Sequence, residues 1–163
     1  MDDRNQVRPG VRIGVDVGSV RVGVARSDAG GSIATPIATI TGKLPDSYNE
    51  LVKIIEAEDA MEVIIGLPRS LSGAEGPAAQ TARSYAASLA RRTTIPVRVI
   101  DERLTTVSAH SALHASGRKG RKHRQVVDQV AAVMILQHAL DVERNTQEPA
   151  GELITHRNTK EEL

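Results

Sequence analysis

Three runs of β-branched and small apolar residues follow one another with almost no chain between them. They are Val11 to Val17, Val20 to Ser27 and Ser32 to Thr41, the last interrupted by Pro36. Gly18-Ser19 separates the first two, and Asp28-Ala29-Gly30-Gly31 separates the second from the third. Parallel neighbours need a crossover of a dozen residues or more, so connections this short dictate antiparallel pairing. The chain must open as a meander, and whatever follows must pack on that sheet or extend it.

The pattern then changes. Ser47 to Ala60 carries Leu51, Ile54, Ile55 and Glu58 three and four residues apart, which is helical spacing. Val63 to Ile65 is a short, wholly apolar strand ended by Gly66-Leu67-Pro68. A loop rich in Gly and Ser leads to Pro77, which suits the first turn of a helix running to Arg92. Pro96 to Ile100 is another strand, Thr105 to Ser116 a helix stopped by Gly117, and Gln125 to Glu143 the last helix. The later strands lack polar alternation, as buried parallel strands do. The order predicts an α/β fold, one mixed five-stranded sheet flanked by helices. Residues 1–10 and 145–163 are expected to be flexible tails on a single domain spanning 11–144.

Composition limits what such a domain can do. The 163 residues include no Cys, Trp or Phe, and only Tyr48 and Tyr85 are aromatic. A disulfide scaffold, a zinc–thiolate site and a Cys nucleophile are therefore excluded. Recognition of single-stranded nucleic acid by stacking lacks its surfaces. No apolar run approaches the roughly 20 residues of a membrane span. The charged stretch Met1 to Gly10 does not resemble a secretory signal, so the cytoplasm is the expected compartment, with no membrane partner. The net charge of +1 conceals an asymmetry, because residues 141–163 hold six acids against three bases. Arg118, Lys119, Arg121, Lys122 and Arg124 fall within seven residues with no acid among them. As a loop, this run suits a polyanion; its plainer reading is a solvated surface.

Acids stand out at three places in the chain. Asp16 interrupts an apolar strand between Val15 and Val17, where the plain alternative is an Asp that starts a turn. Asp101 and Glu102 follow directly on an apolar strand, at the end where open α/β sheets bind ligands. Neighbours on an extended segment point to opposite faces, so one of this pair is expected to share a site with Asp16. The plain alternative is that both cap the next helix. Asp128 lies in an apolar helix and shares its face with Ala131, Ala132, Ile135 and Ala139. A carboxylate there is costly unless paired, although a place in the first turn would also suit the helix dipole. Ala131 and Ala132 would let this helix lie close to the sheet. Carboxylates that converge repel unless a cation lies between them, and hard oxygen ligands select magnesium or manganese. Such ions support phosphodiester hydrolysis, and the basic run would hold the polyanion.

These residues also carry a family likeness. Ile13-Gly14-Val15-Asp16-Val17-Gly18-Ser19 with Arg21-Val22-Gly23-Val24-Ala25 resembles the opening motif of the YqgF/RuvX family. That family is assigned to pre-16S ribosomal RNA processing and, earlier, to Holliday junction resolution. Further matches are Gly66-Leu67-Pro68 with Gly73-Ala74-Glu75-Gly76, then Asp101-Glu102-Arg103-Leu104-Thr105-Thr106, then Val127-Asp128-Gln129 followed by Ala131-Ala132 and Ile135-Leu136-Gln137. The resemblance implies a ribonuclease H-like fold and a metal-dependent nuclease. It places the family's acids on Asp16, Glu102 and Asp128, with Asp101 as a further metal-ligand candidate. Arg21 and Arg103 join the basic run as candidate nucleic-acid contacts. Val20 stands where the family often has Lys or Arg, and no acid follows the fourth strand, unlike related resolvases.

The resemblance favours structured RNA as the partner, with branched DNA the alternative. A resolvase would need a two-fold dimer, and the residues leave monomer and homodimer open. Two further classes compete. Actin-like ATPases and sugar kinases also open on Asp-x-Gly after a strand, but they usually carry two copies of the core, and this chain shows no repeat. A non-catalytic nucleic-acid-binding factor would keep the basic run without needing the acids.

Overall fold

The computed structural model describes residues 7–69, 72–102 and 120–155, with backbone alone for Leu44 and residues 120–128. The meander forms from β1 (Arg12–Val17), β2 (Arg21–Ser27) and β3 (Ala34–Thr41). Then come α1 (Leu44–Ala57), β4 (Glu62–Leu67), α2 (Pro77–Ala90), β5 (Val97–Asp101), α3 (Gly120–Thr146) and β6 (Glu152–Ile154). The sheet has six strands in the order β3-β2-β1-β4-β5-β6. β1 pairs antiparallel with β2 and parallel with β4. β4 pairs parallel with β5, and β6 closes that edge in the antiparallel sense. The mixed sheet and its meander are as the sequence implies. Pro36 sits on the edge strand β3, where the register with β2 steps between Val24 and Ala25.

Alternation along the strands sends side chains into two cores. Ile13, Val15, Val24, Ile65 and Val99 pack with Leu51 and Leu89 on the face covered by α1 and α2. Ala25, Ile64 and Ile100 pack with Ile135 and Leu136 on the face covered by α3. Each fully buried aliphatic side chain contributes about 1.5–3 kcal/mol. Both tyrosines sit between α1 and α2, their ring centroids 4.7 Å apart. The Tyr85 hydroxyl lies 2.8 Å from Ser47 Oγ, and burial pushes its pKa up to about 12.

Several sequence-based expectations shift, among them helix α1, which spans Leu44–Ala57 where Ser47 to Ala60 was expected. Strand β4 runs through Gly66 to Leu67 instead of ending at Ile65. Helix α3 begins at Gly120, so Arg121, Lys122 and Arg124 are helical and not part of a loop. Arg and Lys are good helix formers, and a turn needs no apolar face to continue a helix already nucleated beyond it. The sixth strand, β6, lies in the stretch expected to be a tail. Its Ile154, Leu153 and Glu152 pair with Val97, Arg98 and Val99. The expected helix Thr105 to Ser116 lies outside the described residues, as do Arg103, Arg118 and Lys119. Among the described residues, no helix is long and apolar enough to cross a membrane.

A buried ion cluster locks the end of the sheet where β1 and β4 begin. Arg12 Nη2 donates to Glu143 Oε2 of α3 at 2.9 Å, and both side chains are almost fully buried. Arg8, ahead of β1, donates to Glu143 Oε1 at 2.6 Å and to Glu62 at 3.1 Å. Arg98 of β5 reaches Glu62 at 3.0 Å. Residues expected to be tail thus enter the fold through Arg8.

Candidate active site

Helix α3 lies against β1 because Gly14 has no side chain. A Cβ on Gly14 would stand 2.6 Å from Leu136 Cβ and 2.9 Å from the Ala132 carbonyl oxygen. Such distances are closer than carbon atoms approach without displacement. Glu143 meets Arg12, Ala132 and Leu136 meet Gly14, so α3 runs opposite to β1, and its first half lies toward the carboxyl ends of the central strands. Gln129 fixes that half, since its Nε2 donates to Thr39 Oγ1 at 2.8 Å.

The sheet register puts Asp16 level with that contact. Asp16 pairs with Gly23, and Gly23 with Thr39. Residues directly opposite one another across a sheet share a face. Asp16, Gly23 and Thr39 therefore line the face under α3, two residues beyond Gly14. Arg21 shares this face, two residues before Gly23 at the start of β2.

Glu102 comes to the same face from β5. Arg98 and Ile100 face α3, and Glu102 continues that alternation, its backbone N–H donating to the Leu67 carbonyl at 3.2 Å. Glu102 is 5% exposed, and its carboxylate folds over Gly66 of β4, where a Cβ would stand 2.9 Å from both Cδ and Oε2. Gly66 follows Ile65, which pairs with Val15, so it lies level with Asp16 on the neighbouring strand. Asp16 and Glu102 thus flank one glycine. Asp101 pairs with Leu67 and alternates with Val97 and Val99, which turns it to the face of α1 and α2.

Asp128 is carried by α3 one turn before Ala132, next to Gln129, on the helix face of Ala131 and Ile135. Its side chain and those of Arg121, Lys122 and Arg124 lie outside the described atoms. Among the described residues, no three His, Cys, Asp or Glu form a metal-sized cluster. The donors that are described are hard oxygens, and the hollow over Gly66 is kept open for Glu102, so the set fits a magnesium- or manganese-type cation.

Gly66 was legible only as the end of a strand. A glycine inside an apolar strand also marks close approach, and that was the available signal. Gly66→Ala is expected to lower stability by about 1–3 kcal/mol, since the new methyl presses on Ile135 Cδ1 and on the Glu102 carboxylate. Urea unfolding measures this, and an unchanged midpoint would remove Gly66 from the packing account.

The family model for RuvX, described as a Holliday junction resolvase, matches residues 10–142. The chain belongs to the RuvX family. A relative from a Nocardioides species named "Putative pre-16S rRNA nuclease" is 52% identical over 154 residues, covering 91% of this chain and 98% of its own. A relative of the same name from Thermobifida fusca is 50% identical over 156 residues, covering 91% and 98%. The fold is also shared with T. thermophilus RuvC in complex with a Holliday junction substrate, at a TM-score of 0.56 and 12% identity over 89% of this chain and 99% of that one. This RuvX member thus has the ribonuclease H-like architecture that its motifs imply, with six strands where five were expected.

Proposed function

We propose that this chain is a metal-dependent nuclease that hydrolyses phosphodiester bonds in structured RNA, at the 5′ end of the 16S ribosomal RNA precursor. The observation that carries the proposal is the buried Glu102 carboxylate folded over Gly66, level with Asp16 and beneath the helix that bears Asp128. Family membership and the relatives' names support the reaction class and the RNA.

Asp16, Glu102 and Asp128 would hold magnesium or manganese, which supplies an activated water and charge stabilisation for the leaving oxygen. The chain's own cations do the rest. Arg21, on the face of Asp16, holds a phosphate near the acids. Arg121, Lys122 and Arg124, in the first turns of α3, with Arg118, Lys119 and Arg103, grip the backbone without reading bases. We place the reaction in the cytoplasm.

The family description, Holliday junction resolvase, favours a second reading, resolution of branched DNA, for which symmetric cutting would need a two-fold dimer. One assay separates the two. Precursor ribosomal RNA and a four-way DNA junction are offered to the wild type and to Asp128→Asn, with magnesium and with manganese. The expected result is cleavage of the RNA alone, abolished in the variant. Symmetric cuts in the junction would favour the resolvase. Equal cleavage by both proteins would indicate a contaminant, and cleavage of neither would favour a non-catalytic binding factor.

A further inference from the structure

Among the described residues, one buried side-chain nitrogen or oxygen has no hydrogen-bond partner, and it is Arg69 Nε. Leaving such a donor unpaired is unfavourable, because the hydrogen bond it made to water is not replaced. Arg69 follows β4 by two residues, beyond the Leu67 carbonyl that receives the Glu102 N–H.

The local ion pairs explain why this nitrogen is left over. A guanidinium edge offers Nε and one Nη as a fork that matches two anionic oxygens. Arg83 of α2 uses that fork fully on Glu75, with Nε to Oε1 at 2.7 Å and Nη2 to Oε2 at 2.9 Å. Arg83 is held from its other side by Glu152 of β6 at 3.0 Å. Glu75 is thereby oriented for Arg83, and its carboxyl is held below the usual carboxylate range chiefly by that bond. Arg69 receives only what remains, a single contact from Nη2 to Oε2 at 3.1 Å. Its fork is half filled, and Glu75 cannot fill it while it serves Arg83.

We infer that Arg69 is a substrate-positioning residue whose half-filled fork takes the two free oxygens of a phosphodiester flanking the one that is cut. The inference rests on the nuclease reading above. Gly66 is level with Asp16, and Arg69 lies three residues further along the chain, a span of at most about 10 Å that suits a phosphate neighbouring the scissile one. The side chain is 29% exposed although Nε itself is covered, so the guanidinium turns outward as Glu75 yields its single contact, and a strand passing the carboxyl end of β4 then takes the fork. Glu75 keeps Arg83 when it does so, and the exchange leaves no carboxylate unpaired.

The test is equilibrium binding of a fluorescein-labelled RNA hairpin with a single-stranded tail, in EDTA, over a series of salt concentrations. Arg69→Gln is expected to weaken binding about tenfold at low salt and to flatten the salt slope by about one unit. Arg69→Lys should keep the slope and lose part of the affinity, because it keeps the charge without the fork. Glu75→Gln should bind at least as tightly as the wild type, since it removes the competitor for the fork. A wild-type slope in Arg69→Gln would overturn the inference. So would equal weakening in Arg69→Gln and Glu75→Gln, the result expected if the pair only braces the loop. A wild type with no salt-dependent binding would overturn the nuclease reading and Arg69's role with it, whereas the other two failures leave that reading standing.

Discussion

Asp16→Asn and Glu102→Gln are each expected to cut metal-dependent hydrolysis by at least about 100-fold while leaving the protein folded. Asn and Gln preserve shape and remove one charge each, so the loss would lie in holding the cation. Calorimetric titration with manganese should show weaker binding in both variants, and Asp101→Asn should match the wild type because Asp101 lies on the opposite face. Manganese affinity unchanged in Asp16→Asn would take Asp16 out of the ligand set. Asp101→Asn as damaging as Glu102→Gln would show that strand alternation had assigned the wrong neighbour.

Glu143→Ala is expected to produce the largest loss of stability, about 3–5 kcal/mol, because it leaves the buried Arg12 guanidinium without its carboxylate. Burial alone would push the Glu143 carboxyl up. The side-chain and backbone bonds from Arg8 and the charge of Arg12 more than offset this and hold it below its ordinary value of 4.5. A carboxyl with a depressed folded-state pKa contributes stability above its unfolded value, and loses that contribution as pH falls through the folded one. Urea unfolding should therefore weaken below pH 4.5 in the wild type, and more gently in Glu143→Gln. Parallel acid profiles in the two proteins would show that Glu143 is not what titrates.

The parts of the fold that could be read from sequence are those whose burial is written into their own residues. β1, β4 and β5 announce themselves because Val and Ile fill them, and α1 because Leu51 and Ile55 repeat at helical spacing. The strand β6 does not, since it has three residues and Leu153 is 41% exposed; only the free edge of β5 makes it a strand. The start of α3 was hidden for a related reason, as its first turns carry charge and owe their helicity to the buried turns beyond. At the candidate site, Asp16 and Asp128 stood out as acids in apolar surroundings, while Asp101 and Glu102 marked a strand end and only the family resemblance preferred Glu102. The hollow that receives Glu102 was not, because it depends on which strand lies beside which. The ion cluster of Arg8, Arg12, Arg98, Glu62 and Glu143 was invisible for the same reason, its members being spread from one end of the sequence to the other.

Helix α3 is pinned at one end by Glu143 and carries Asp128 at the other. Fifteen residues separate the two, about 22 Å along the axis. The helix is in this sense a ruler, its zero mark set by Arg12 at the far edge of the molecule. One residue added between those marks would advance the far end by about 1.5 Å and swing it by about 100°. The residue at 128 would then turn by that angle relative to Glu143, although no residue near the strand ends had changed. Length polymorphism should therefore be confined to the loops, and the interval from 128 to 143 should behave as a fixed quantity, indifferent to many exchanges of side chain but not to a change of count.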